Sequence, residues 1–277
     1  MSASALVSGL ARSCHPIPSV AVTALTAGLT ALAGLPIGRA VLVTAAVFFG
    51  QLSIGWSNDY HDAERDRAVQ RSDKPVASGA VAPRQAGLAA LVALLLTVAL
   101  SVALGWPAGA ASLVIVACGW LYNMGLKSSV LSWLPYAIAF GMLPAVATLS
   151  VSPPRWPAPW ALTAGALLGV AAHLANVLPD LREDVATGVR GLPHRLGARI
   201  TSLTAAVILL VVSAVILFGP AGGPVLWAWV GFCAAVLVAG VAATAAFRDP
   251  SSRRFFQATI LIAALNLTFF ALSGARL

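Results

Sequence analysis

Charge is what this chain has least of. Of its 277 residues only 9% are charged, and only nine are acidic. Hydrophobic residues make up 59% and the mean hydropathy is +0.89. Those values exclude a soluble globular domain, in which about 25% of residues carry charge. Long polar stretches are missing too: no segment between apolar runs exceeds about thirty residues, too few for a soluble domain. The chain therefore reads as one membrane domain over residues 1–277. Cysteine is equally sparse. Cys14, Cys118 and Cys233 are far apart and mostly in apolar surroundings, so neither a disulfide framework nor a thiolate metal site is supported. A formal charge of +8 would suggest nucleic acid as partner of a soluble protein. Here the basic residues fall between apolar runs, and membrane topology accounts for them.

What is abundant is apolar runs long enough to cross a bilayer, about twenty residues each. Nine are expected, all helical, near 17–37, 39–57, 84–104, 107–124, 130–149, 160–178, 200–218, 224–247 and 254–274. The first follows Arg12, Cys14 and His15 without a small-residue cleavage site, so it reads as a retained helix. Fourteen of the seventeen basic residues fall at the amino terminus or after the second, fourth, sixth and eighth runs; Arg39, Arg155 and Arg276 fall on the other side. Basic loops stay cytoplasmic. The expectation is an amino terminus inside, a carboxyl terminus outside and, from an alanine- and arginine-rich composition, a bacterial inner membrane.

The few acids are not scattered. Asp59, Asp62, Glu64, Asp66 and Asp73 follow the second run, and Asp180, Glu183 and Asp184 follow the sixth, leaving Asp249 alone. Asn58, Asp62 and Asp66 are spaced i, i+4, i+8, and Asn176, Asp180 and Asp184 repeat that pattern 118 positions later. On a helix such spacing puts the three side chains on one face. Two such faces brought together make a cage of carboxylate oxygens. Hard cations such as Mg²⁺ prefer oxygen ligands and bridge carboxylates to substrate phosphates. Acids at the membrane edge are functional candidates by default.

At these residues the sequence resembles the UbiA superfamily of intramembrane prenyltransferases. Asn58, Asp59, Asp62 and Asp66 meet its NDxxDxxxD motif, and Asp180 and Asp184 after Asn176 meet its DxxxD motif. Lys74-Pro75, Ser78-Gly79 and the group Gly188, Leu192, Pro193, Leu196, Gly197 are similar to its flanking signatures. Many relatives have a basic residue just before the second motif, where this chain has Pro179 and places Arg182 after Asp180. The resemblance implies nine helices around a central cavity open to lipid, and an enzyme that ionises a prenyl diphosphate and passes the prenyl group to a lipophilic acceptor.

The resemblance also implies roles. Asp62, Asp66, Asp180 and Asp184 would hold Mg²⁺, with Asn58, Asp59 and Asn176 as further ligands or as donors that orient the carboxylates. Arg71, Lys74, Lys127, Arg182 and Arg190 are diphosphate candidates, although positive-inside topology alone explains a loop cation. An allyl cation needs a dry pocket with electron-rich walls. Tyr122 resembles a tyrosine that the family places near the reacting carbon, and Tyr60 and Tyr136 are further candidates. Gln51 and His173 are expected to line the cavity, with a hydrogen-bonded core histidine as the plainer reading of His173. Two other functions compete. A terpene cyclase would share the metal motifs and need no acceptor. An ion-coupled transporter would place its acids near the bilayer midplane, whereas these lie at helix ends.

Overall fold

The protein is described by a computed structural model over residues 3–249 and 254–272. Arg253, Arg276 and the end of the last apolar run lie outside the described residues. Eleven α-helices follow one another, with no strand among the described residues. They are α1 (Ala3–Ser13), α2 (Pro16–Leu32), α3 (Ile37–Ala68), α4 (Pro83–Ala103), α5 (Trp106–Met124), α6 (Leu134–Thr148), α7 (Pro159–Val177), α8 (Leu181–Ala186), α9 (Leu192–Phe218), α10 (Leu226–Arg248) and α11 (Arg254–Leu272). Six of them (α2, α4, α5, α6, α7 and α9) carry proline in the first turn, where the missing N–H costs nothing and the fixed φ favours a helix start.

Each expected run is helical, but not every helix is a full span. Seven are long and apolar enough to cross a membrane, the sixth of the expected runs counting as Pro159–Ala186. α1 and α2 qualify only as a pair bent by 68°. α6 has fifteen residues, about 22 Å of rise against a hydrocarbon core of about 30 Å. By length and composition the described residues hold seven such spans, or eight with the bent pair, where nine are expected.

Two apolar cores organise the bundle. One joins α2, α3, α5 and α6 around Val43, Ala46, Ile115 and Leu143. The other joins α7, α9, α10 and α11 around Leu174, Leu209, Val212 and Ile262. Leu25 and Phe140 pack against both. Small residues set the helix distances: at Gly169 and Gly165 of α7 a Cβ would collide with the carbonyls of Tyr136 and Phe140 on α6, so the two backbones touch. Between α2, α6, α7, α9 and α11 lies an apolar cavity lined by Leu25, Phe140, Leu168, Ala263 and Phe270, among others.

Three departures from expectation shape the site. α3 does not stop near residue 57 but continues as one helix to Ala68, so the first acidic motif stands on a helix rather than on a loop. The second motif does not copy it. α7 ends at Val177, a single 3-10 turn runs from Leu178 to Asp180, and α8 follows. Pro179 explains the break, since it has no N–H to give and its ring crowds the carbonyl four residues back. Finally α1, which precedes the first expected run and is not among the expected helices, packs against the end of α3. Leu6 and Leu10 pack on Ala63, Val76, Val81 and Ala86, and the Trp56 indole donates to the Leu10 carbonyl at 2.8 Å.

Candidate functional site

The site starts from a problem of burial. Asp59, Asp62 and Asp66 on α3 are only 2%, 4% and 4% exposed, and a buried carboxylate is costly unless it is paired. Each one is. Asp62 accepts from Arg65 Nη2 at 2.8 Å and from the Lys127 ammonium. Asp66 accepts from Lys74 Nζ at 2.8 Å, and Asp59 lies 3.6 Å from that nitrogen and 3.2 Å from His15 Nε2. Lys127 arrives from the turn after α5, Lys74 from the loop before α4, and His15 from the corner between α1 and α2. Two remote segments and the loop that follows α3 converge on one helix face.

The second motif meets the first through Arg65 and the loop after α3 through Arg71. Arg65 Nη2, already on Asp62, lies 3.9 Å from Asp184 Oδ1. Arg71 places Nη1 at 3.3 Å from Asp180 and 2.6 Å from Glu183, while its Nε and Nη2 donate to both oxygens of Asp73. Asp184 also sits 3.2 Å from His194 Nε2 on α9. The left-handed Gly188, φ 84°, ends α8 and turns the chain toward that helix. The forked hydrogen bond from Arg71 lowers the Asp73 carboxyl below its ordinary value and, reciprocally, raises the guanidinium. Burial acts to lower Lys74, but Asp59 and Asp66 outweigh it and hold the ammonium above its ordinary value. For Lys127 burial wins: with Arg65 adding to it, the ammonium falls below its ordinary value despite Asp62.

Asn58 is placed by a network. Its amide donates to Asn123 Oδ1 at 3.2 Å, and Asn123 donates in turn to Ser57 Oγ at 2.6 Å and the Ile54 carbonyl at 2.9 Å. Asn123 thereby ties the end of α5 to the acidic face of α3. One residue earlier, Tyr122 lies within electrostatic range of Asp184, Asp62 and Arg65. Its ring meets Tyr136 at 5.2 Å and His173 at 5.7 Å, and Tyr136 stacks on Phe140 at 6.3 Å. These aromatics continue the site from the carboxylates towards the bundle interior.

The structure sorts the expected residues. Asp59, Asp62, Asp66, Asp180, Asp184, Arg71, Lys74 and Lys127 are brought together, with Tyr122 beside them. Tyr60 is not: it is 46% exposed and its ring lies against Gly87 of α4 and His61. Arg182 and Arg190 are exposed, and among the described residues no hydrogen bond or ion pair joins them to the carboxylates. For Tyr60 and Arg182 the reason is helical geometry. Each is two positions from a motif residue on either side, and residues two apart do not face each other. His173 is buried at 1% exposure and bonded to Ser132 Oγ at 3.0 Å, a core histidine beside the tyrosines. Gln51 is partly buried on α3, and Asn176 is exposed, unlike its counterpart Asn58.

Four residues are added. Arg65, His15, His194 and Asn123 each contact a motif residue. Only Arg65 had a local signal, three positions after Asp62 on a helix. Among the described residues no three His, Cys, Asp or Glu side chains form a ready-made metal cluster; the acidic oxygens of the two motifs face each other across cations instead.

The chain is similar to known proteins in sequence and in fold. The UbiA prenyltransferase family model matches residues 19–272. A digeranylgeranylglyceryl phosphate synthase from Methanopyrus kandleri is 30% identical over 239 residues, 80% of this chain and 82% of that protein. A 4-hydroxybenzoate octaprenyltransferase from Herminiimonas arsenicoxydans is 32% identical over 142 residues, 48% of each. The fold is that of a UbiA homolog from Archaeoglobus fulgidus solved with GPP and Mg²⁺, with a TM-score of 0.74 at 16% identity over 95% of this chain and 98% of that one. A second UbiA homolog, from Aeropyrum pernix, gives 0.73 at 19% identity, covering 92% and 98%. With the paired acidic motifs at the ends of two packed helical units and the match running through all but the first helix, the chain belongs to the UbiA prenyltransferase family.

Proposed function

We propose that this protein is an Mg²⁺-dependent intramembrane prenyltransferase that moves a prenyl group from its diphosphate to a lipophilic acceptor. The observation that carries the reading is the meeting of both acidic motifs across Arg65, beside Tyr122. The donor set fits the metal. Mg²⁺ takes one or two carboxylates and completes its shell with water and substrate phosphate, which suits carboxylates that face each other without closing into a protein-only cage. Asp62 and Asp66 on one side and Asp180 and Asp184 on the other would supply those carboxylates to the Mg²⁺ bound there, with Asp59 and Asn58 behind the first pair. When bound, Mg²⁺ supplies positive charge to the diphosphate as the allylic carbon–oxygen bond breaks.

The chain's own residues do the rest. Lys74, Lys127, Arg65 and Arg71 already sit on the carboxylates and can turn to diphosphate oxygens, where charge develops in the transition state. The carbon–oxygen bond breaks with its electron pair going to diphosphate. The acceptor atom bonds to the freed carbon and gives up a proton. Tyr122 and Tyr136 present ring faces to the carbocation and keep water away. We place the acidic motifs on the cytoplasmic side of a bacterial inner membrane, amino terminus inside and carboxyl terminus outside, because basic residues crowd that end.

Purified protein in detergent, given Mg²⁺, prenyl diphosphates and candidate acceptors, tests the reading by mass spectrometry. Diphosphate release and a prenylated product are expected only with acceptor present, and EDTA should stop both until Mg²⁺ is restored. A cyclic hydrocarbon or terpene alcohol formed without acceptor would make the protein a cyclase instead.

A further inference from the structure

Resting on the prenyltransferase reading, we infer that Ser132 is a positioning residue, whose one hydroxyl holds the second acidic motif in register with the turn that carries Lys127.

The start of α9 poses the problem. N–H groups in the first turn of a helix have no partner within it and need one from a cap or from water. The capping position is Gly191, which has no side chain to offer. A side chain is excluded there, because a Cβ would lie 2.5 Å from the Lys127 carbonyl oxygen and 2.8 Å from Ser132 Oγ. The cap comes instead from a residue sixty positions away: Ser132, 0% exposed, accepts from the Leu192 N–H at 3.0 Å. Its hydroxyl still has a proton to give, and His173 Nε2 lies 3.0 Å from it.

What makes this cap more than a staple is where its three arms lead. Ser132 stands five positions after Lys127, in a stretch wound by successive tight turns in which Ser128 bonds to Gly125, Ser129 to Leu126 and Ser132 to Ser129. The backbone behind the Lys127–Asp62 pair is therefore fixed relative to it. Leu192 stands two positions before His194, which lies 3.2 Å from Asp184. Thr201 Oγ1 donates to the Pro193 carbonyl at 3.1 Å, across the left-handed Gly197, so the short segment carrying His194 is held on both sides. His173, the third arm, meets the rings of Tyr122 and Tyr136 at 5.7 and 5.1 Å. Arg65 bridges the two motifs through side chains; Ser132 ties the segments that stand behind them.

Two variants attack the tie from opposite sides. Ser132→Ala removes the hydroxyl, and Gly191→Ala drives a Cβ into it and into the Lys127 carbonyl. Ser101→Ala is the control: it removes a hydroxyl of similar burial, 1% exposed and bonded to Ser112 at 3.0 Å, at the far end of α4. Turnover of geranylgeranyl diphosphate by full-length protein in detergent is followed across a Mg²⁺ titration, with an acceptor on which the wild type is active. In parallel, the unreactive geranylgeranyl thiolodiphosphate is titrated with Mg²⁺ present and scored by the rise in melting temperature. Both tie variants should lower kcat about tenfold or more and raise the half-saturating Mg²⁺ at least about threefold. The analogue midpoint should rise with it. The double variant should be no worse than the poorer single, because both break the same tie. Ser101→Ala should lower the melting temperature and leave all three constants unchanged. Constants within about twofold of wild type in both tie variants, or loss of folded protein in both, would make Ser132 structural only and overturn the inference. A wild-type protein stabilised by the analogue that forms no prenylated product would sink the transferase reading. Ser132 is then decided by the analogue midpoint, which a raised value upholds and an unchanged value overturns.

Discussion

At the level of single residues, the chemistry hangs on cations and carboxylates that neutralise one another. Arg65 is the sharpest case, since one guanidinium nitrogen serves Asp62 and approaches Asp184. It competes with a metal for both carboxylates and is a charge for the diphosphate to use. Arg65→Gln should therefore split two measurable quantities: the Mg²⁺ concentration for half-maximal rate falls while the maximal rate drops about tenfold or more. Asp62→Asn and Asp184→Asn remove charge without changing volume. Each should cut turnover by at least about a hundredfold, while size-exclusion profiles in detergent stay monodisperse. Turnover retained in both would contradict the metal assignment. Much of this was legible, because Asn58, Asp62 and Asp66 advertise one helix face by spacing alone. His15, His194 and Asn123 were not: their partners are remote in sequence or come from other elements, and nothing in a linear string marks such a pairing.

Helices carry the next set of consequences. Gly55 of α3 sits where a Cβ would press into the Cys14 backbone, the point at which the corner before α2 docks. Gly55→Val should cost about 1–3 kcal/mol by overpacking, seen as a lower melting temperature in detergent, and should weaken activity by displacing His15 from Asp59. Pro179→Ala has a different signature. It removes the break after α7, lets the helix run on through the second motif and turns Asp180 and Asp184 away from Arg71 and Arg65. Turnover should fall while thermal stability holds or rises. The helical nature of the apolar runs was legible from composition, while how many are full spans was not, since α6 is short and α2 qualifies only with α1. That α3 carries the motif without a break to Ala68 was legible only from the i, i+4, i+8 spacing, because its last turns are charged and a hydropathy reading ends a helix where the apolar residues end. α1 escaped for a related reason: eleven residues are too few to register as a span, and its docking depends on Val76 and Val81 in a distant loop.

For the whole molecule, the distribution of charge sets which end faces which compartment. Cysteines introduced at Ser72, in the loop between α3 and α4, and at Ala221, between α9 and α10, report on it. In intact bacterial cells a membrane-impermeant maleimide should label Ala221→Cys and leave Ser72→Cys untouched until the membrane is opened. The opposite pattern would invert the proposed topology. The two cores, bridged only by Leu25 and Phe140 among the partly buried residues common to both, leave room between them for a long apolar substrate. The first acidic motif stands on an unbroken 32-residue helix, the second on two short pieces joined at a proline. The second motif is therefore expected to open more readily than the first. Amide protons in residues 178–188 should exchange with solvent well before those of residues 58–66, so that a pair of matched motifs closes on its substrate from one side only.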